Sequence, residues 1–455
     1  MGSRDLRRRE LLTGVAVAAG ALTGCSGASG GSAPSSAGVA SNIGVPSNDP
    51  AQPAVALGEW ESLRAEFNLS REWIHLGSFL LASHPRVVRE AIERHRRELD
   101  ENPVHYLAKN EKLNTATQGV LELAGRYMGV PSTDIALTDS TTMSLASLYQ
   151  GLPLRAGDVV LTTTHDHFAT HETLRLVAQR TGATVQKIPL YERASAASSG
   201  AMVEAIARAI TKSTRVIAIT WVHSCTGVKL PVRAISEAVA KANIGRAEAD
   251  RVLLCVDGVH GFGVEDFTMA DLGCDFFAAG CHKWIFGPRG TGVLWGKTAQ
   301  WARLRPTIPH FGFEAYSAWM RDVPPPETNA SMMTPGGFHS FEHRWALGAA
   351  FSFHLDIGKA KIENRIRALN TQFKEGLSSM SNITLHTPLA SELSAGIICF
   401  DLNGRPPEHL VEKLLEKKII ATTTPYRPTC ARVAPALLNS PAEVDTALRE
   451  IRALG

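Results

Sequence analysis

The apolar positions of this chain fall mostly into short unbroken runs rather than strict alternation. "DIALTDS", "DVVLTTTH", "ATVQKIPL", "RVIAITWVH", "RVLLCVDG" and "CDFFAAG" are β-branched or apolar and end on polar or turn residues. A run with no polar face predicts a strand buried on both sides. Between several of them lie stretches with helical spacing, such as "THETLRLVAQRTG", "GAMVEAIARAITKST" and "PVRAISEAVAKAN". This alternation predicts an α/β fold, a mainly parallel sheet with helices on both faces. Ligands of such sheets gather beyond the carboxyl ends of the strands. The residues following each run therefore carry the functional reading.

The tail is patterned differently. "SAGIICFDL", "PPEHLVEKLLEKK", "IIATTTP", "CARVAP" and a last helix predict strand, helix, strand, strand, helix. Ser440 as N-cap, Pro441 in the first turn and Glu443 three residues on announce that helix as a capping box. We expect a small α+β domain over 326–455, a large domain over 91–325 and an N-terminal segment over 57–90.

The first residues read as an address. "RRRELLTGVAVAAGALTGC" holds Arg8 and Arg9, a weakly apolar stretch, and "LTGC" ending at Cys25. This resembles a twin-arginine export signal joined to a lipoprotein box over 1–25, with Cys25 as the lipidated residue. It implies a membrane-anchored protein on the periplasmic side. Residues 26–56 are rich in Ser, Gly, Ala and Pro and read as a flexible tether. No apolar run approaches the ~20 residues of a membrane-spanning helix.

Composition narrows the partners. Lys+Arg 47 against Asp+Glu 44 leaves a net charge of +3, too small to point to nucleic acid. Six cysteines follow Cys25, none in C-x-x-C spacing and most in apolar segments, which predicts buried free thiols.

The strand ends then converge on one chemistry. Ser140, Thr141 and Thr142 follow "DIALTD" where a helix should start, a place suited to a phosphate. Asp257 closes "RVLLCV", and Lys283 lies just beyond the next strand in "AAGCHKWIFGPRGTG". A phosphate cradle, a carboxylate and a lysine are what pyridoxal 5'-phosphate requires: an amine for its aldehyde and an acid for its pyridine nitrogen. His165, ending "DVVLTTT", is placed to stack on the ring. An apolar setting for Lys283 favours its uncharged form.

Together "TDSTTMSL", "TTTHDHFATHETLR", "WVHSCTGVKLP", "VDGVHGFG", "GCHKWIFGPRGTGVLW", "TPGGFHSFEHRWALG" and "ARVAPALLNSPAEVD" resemble the class V aminotransferase family. Within its fold type I enzymes, the match is to the isopenicillin N epimerase-like branch. The resemblance implies Lys283 as the Schiff-base lysine, Asp257 on the pyridinium nitrogen and His165 on the ring face. It also implies His260 at the ring hydroxyl, Ser140, Thr141, Thr142 and His282 at the phosphate, and Ser224 near the ring. Arg432 and Ser78 fall on the substrate side, with Arg432 forking onto a carboxylate. His339 and Ser340 would come from a second copy, implying a homodimer. Some relatives have a serine where Gly280 stands. Transamination, epimerisation and elimination stay open. One exported family member tailors a siderophore, so a secreted peptide-like metabolite is the expected substrate class.

Other readings compete. Cysteine desulfurases of this fold carry a mobile cysteine ahead of the small-domain arginine, but Cys430 stands only two residues before Arg432. His165, His167 and His171 give an H-x-H-x3-H pattern that could hold zinc in a metallohydrolase, whereas the pyridoxal phosphate reading assigns no metal. "VDGVHGFGVED" mimics a dinucleotide fingerprint without its third glycine or following helix. "PHFGFEAYSAWMRDV" reads as an aromatic loop, packed at a domain interface or serving as a lid. Arg289 in "GPRGTG" could face the site or solvent.

Overall fold

The computed structural model describes residues 60–112 and 115–455. Arg8, Arg9, Cys25 and the tether lie outside the described residues. Those described belong to one compact unit.

The strands, in chain order, are β1 (Ile74–His75), β2 (Ile135–Thr138), β3 (Val159–Thr163), β4 (Thr184–Ile188), β5 (Thr214–Thr220), β6 (Leu253–Asp257), β7 (Phe276–Gly280), β8 (Gly292–Gly296), β9 (Ile383–Leu385), β10 (Ile398–Leu402), β11 (Ile419–Ile420), β12 (Thr422–Thr423) and β13 (Ala431–Val433). Seven of them form the main sheet in the order β2-β8-β7-β6-β5-β3-β4. Pairing is parallel from β7 through β6, β5 and β3 to β4, and β8 runs antiparallel between β7 and β2. The expected mainly parallel sheet is therefore present.

The unbroken apolar runs have a direct cause. Along β6, Leu253 and Cys255 join one hydrophobic cluster while Leu254 and Val256 join the other. Both faces are covered by helices, so no position is left for a polar residue until Asp257. One expectation fails here. "ATVQKIPL" was expected to be buried, yet β4 is the edge strand and its Thr184, Gln186 and Lys187 are exposed. An edge strand has one covered side only, and a lysine there discourages pairing with another sheet.

A second sheet, β12-β13-β10-β9, is antiparallel throughout. Helices Lys359–Ser378, Pro407–Glu416 and Pro441–Ala453 accompany it around a separate core that includes Phe373, Phe400 and Leu414. The predicted capping box forms, Ser440 Oγ accepting from Glu443 N and Glu443 Oε2 from Ser440 N. A short parallel pair, β1 with β11, links the N-terminal segment to this region.

The aromatic segment is not a loop: Phe313–Met320 is a helix. Phe313, Trp319 and Met320 are exposed, so they do not pack at an interface within the described chain.

Candidate active site

A cavity of about 190 Å³ opens at the carboxyl ends of the central strands. Its lining includes Ser140, Thr141, Thr142, His167, Ser224, Asp257, His260, His282, Lys283 and Arg432. A second cleft, beside Asp158 and Arg215, lies where strands begin, and those two residues pair across it at 3.2 Å.

Local structure explains each placement. Ser140 is extended, at φ −172°, and its Oγ accepts from Met143 N, so the helix Thr141–Gly151 starts at the cavity wall. The first-turn N–H groups and hydroxyls make this end attractive to an anion. Thr141 Oγ1 also accepts from Gly280 N at 2.8 Å, tying the helix start to the end of β7. A Cβ at Gly280 would stand 2.9 Å from that hydroxyl oxygen and 3.0 Å from His282 Cε1, so a serine here would have to push the Thr141 and His282 side chains aside.

Asp257 ends β6, buried, with Val259 N donating to its Oδ1 at 3.2 Å. Burial raises its carboxyl to about 6, a rise opposed by that hydrogen bond and by Lys283. The loop beyond it turns at once. Gly258 and Gly261 admit the rings of Phe277 and Trp221, which a Cβ would meet at 1.9 and 2.2 Å. The glycines of this apparent dinucleotide fingerprint serve that packing.

Lys283 follows β7 in an apolar surround. Burial lowers its amine to about 8, and Asp257's pull offsets only part of the effect. Its Nζ lies 3.5 Å from His260 Nε2, and the indole of Trp284 donates to His260 Nδ1 at 3.3 Å. Burial, with Lys283 and Arg432 adding to it, pushes His260 well below its ordinary value, so the ring is neutral. An indole can only donate. The His260 proton therefore sits on Nε2, facing the lysine.

Arg432, in β13, donates Nη1 to Ser224 O at 2.8 Å and Nε to Thr422 Oγ1 at 3.2 Å. Its guanidinium lies 4.4 Å from the Phe79 ring centroid. These contacts fix the plane of the fork before any carboxylate arrives. Ser224 Oγ is within 2.6 Å of the Tyr426 hydroxyl, a residue the sequence reading missed; no spacing signal announces it.

Two expected residues, His165 and Ser78, lie off the cavity wall. His165 is not on the cavity wall: its ring stacks on Tyr191 at 3.9 Å, and its Nε2 accepts from Leu190 N. His167 lines the cavity instead, its Nδ1 accepting from Ala169 N at the start of the helix Phe168–Thr181. Ser78 is buried just before the lining residue Phe79. His339 and Ser340 stand ahead of the helix Phe341–Ile357 and do not line this chain's cavity. Arg289 is exposed and reaches His84 Nε2 at 3.3 Å.

The zinc pattern does not assemble. His165, His167 and His171 bond to Leu190 N, Ala169 N and Thr163 O in turn, and they form no metal-ligand group among the described residues.

The residues present fit pyridoxal phosphate. A buried amine kept close to neutrality, a buried carboxylate and an anion-ready helix end would otherwise be three separate costs in one cavity. A fold with that site defines a pyridoxal-phosphate enzyme of fold type I. Residues 82–449 match the aminotransferase class-V family, and the chain belongs to it. A probable cysteine desulfurase of Halalkalibacterium halodurans is 28% identical over 361 residues, covering 76% of this chain and 82% of that one. Isopenicillin N epimerase of Streptomyces clavuligerus is 24% identical over 355 residues, 76% and 85% of the two chains. Among solved structures, a C-DES variant with glycine covalently linked to its PLP cofactor has a TM-score of 0.76 at 20% identity, covering 86% of this chain and 99% of that one. The cysteine desulfurase CsdA of Escherichia coli gives 0.73 at 22%, covering 87% and 98%. The protein is a pyridoxal-phosphate-dependent enzyme of this family.

Proposed function

We propose that this enzyme labilises a bond at the α-carbon of an amino-acid or peptide-like substrate, in the aminotransferase and epimerase manner. We further propose that it does so after export, tailoring a secreted metabolite such as a siderophore. The observation that carries the first part is the meeting of Lys283, Asp257 and Arg432 in one cavity.

When bound, pyridoxal phosphate supplies an electron-accepting ring for the pair left at the α-carbon. Arg432 binds the substrate carboxylate with a pre-oriented fork. Asp257 holds a negative charge against the ring nitrogen, and a cation there would draw its carboxyl back down from about 6. Lys283, lowered to about 8, is poised to accept a proton from the α-carbon and return it. His260 would present an Nε2–H to the ring oxygen. Ser140, Thr141, Thr142 and His282 would hold the phosphate, and His167 would cover one face.

Cysteine desulfurase chemistry is the second reading, favoured by the relatives' names. It needs a thiol within reach. No cysteine among the described residues lines the cavity, and Cys225 Sγ points to His165 O at 3.7 Å with its thiol pushed up to about 11 by burial. Export and lipid anchoring rest on Arg8, Arg9 and Cys25. A homodimer is favoured by His339 and Ser340, which stand outside their own chain's cavity.

The test is incubation of the purified enzyme in deuterated water with panels of amino acids, peptides and siderophores, read by mass spectrometry. Deuterium gain at the α-carbon or a modified siderophore is the expected result. Sulfide release from cysteine as the sole turnover would favour the desulfurase reading.

A further inference from the structure

Away from the cavity lining, three side chains of different chemistry meet on the small sheet. His386 follows β9, Asp401 sits in β10 and Cys430 immediately precedes β13. One ligand atom from each lies within 4.8 Å of the other two.

Strand register brings them together. Phe400 pairs with Leu385 on one side and with Ala431 on the other. One step along β10, Asp401 comes opposite Cys430. Its partner across β9 is Thr384, and His386, two residues on, returns to the same face. His386 Nε2 is 2.7 Å from Asp401 Oδ2. The other carboxylate oxygen, Oδ1, is buried with no hydrogen-bond partner. An ionised oxygen in that position is costly unless something positive reaches it.

We propose that His386, Asp401 and Cys430 form a binding site for a divalent transition-metal ion of the zinc class. The donor set is an imidazole nitrogen, a carboxylate oxygen and a thiolate sulfur, which are zinc's own ligand types. The sulfur disfavours magnesium and calcium. Thiolate and carboxylate together carry two negative charges, so a divalent ion leaves the half-buried site neutral, with the thiol proton and the proton that Asp401 holds on His386 Nε2 both released to solvent. Bond lengths of ~2.0–2.3 Å place tetrahedral ligand atoms roughly 3.3–3.8 Å apart. Cys430 need draw in by only about 1 Å from the 4.8 Å limit, while His386 and Asp401 open from their 2.7 Å hydrogen bond to admit the ion. His386 and Asp401 are 31% and 32% exposed, which leaves an entry path and a fourth position for water. The ion would pin β9, β10 and β13 together two residues from Arg432.

The experiment is equilibrium dialysis of the cofactor-loaded full chain against zinc after chelator treatment, with metal measured by elemental analysis. About one zinc per chain is expected. Cys430→Ser, His386→Ala and Asp401→Asn should each weaken retention about ten-fold or more while bound pyridoxal phosphate stays constant. In the unaltered protein, zinc should slow alkylation of Cys430 about ten-fold or more, followed by peptide mapping, which guards against a variant that fails to fold. No zinc retained, retention by the three variants undiminished from the parent, or an unchanged alkylation rate at Cys430 would each overturn the site.

Discussion

Replacing Lys283 by methionine in the cofactor-free protein should make the fold more stable. The amine is buried, and its pKa is lowered to about 8 mainly by loss of solvation. In the unfolded chain a lysine titrates near ~10.4. The native state therefore binds fewer protons than the unfolded state between these values, and stability rises with pH across that window. The cost is fully present below about 8 and vanishes above ~10.4, amounting to about 3 kcal/mol at pH 7 and about 1 kcal/mol at pH 10. Methionine has nearly the same length and no charge, so it removes the cost without opening a cavity. Deleting the amine also deprives Asp257 of a favourable neighbour, which pares the gain. At ~2.1 cal/mol/K per residue, a unit of this size has an unfolding entropy of roughly 0.8 kcal/mol/K, so the melting temperature should rise by about 2–4 °C at pH 7. The assay is thermal unfolding of both proteins, stripped of cofactor, at pH 7 and pH 10. A variant less stable than the parent at pH 7, or a difference that does not shrink at pH 10, would refute the reasoning.

Other perturbations separate the roles of single residues. Arg432→Ala should weaken binding of carboxylate substrates by ~2–4 kcal/mol, roughly 30- to 1000-fold, while the matching amines bind as before; equal losses for both would remove the carboxylate role. Asp257→Asn should lower kcat far more than it raises KM, since it acts on the electron-accepting ring rather than on substrate binding. His167→Ala should reduce cofactor retention and His165→Ala should not, measured by absorbance after desalting; the reverse order would restore His165 to the ring. Arg8→Lys with Arg9→Lys should hold unprocessed, cofactor-loaded protein in the cytoplasm, and Cys25→Ser should release it from the membrane fraction or leave it unprocessed. Normal export of the double variant would remove the basis for a periplasmic substrate.

Much of this arrangement is legible in the sequence because burial on both faces leaves a plain signature. "RVLLCVDG" has no polar position until Asp257, and the first polar residue after such a run must stand at a sheet end. The same logic one strand later finds His282, with Lys283 beside it. The choice between His165 and His167 was not legible. Between β3 and the helix Phe168–Thr181 the backbone turns, so the two-residue periodicity that assigns faces in a strand no longer applies. Asp166 decides it, its carboxylate accepting from Thr162 Oγ1, Thr163 N and Thr220 N and anchoring the turn. Tyr426 and the His386 group depend on side-chain contacts and on strand register in the second sheet, which no local spacing announces. The aromatic segment read as a loop because its apolar residues point outward, where helical burial gives no periodic signal.

The central claim is that Lys283 is the amine that carries pyridoxal phosphate. Borohydride reduction of the yellow purified enzyme, followed by proteolysis and peptide mass mapping, tests it directly. The account predicts loss of colour and a reduced pyridoxyl-phosphate group on the peptide containing Lys283, with none on the other lysines. The same group on a different lysine, or reduction that leaves every lysine unmodified, would contradict it.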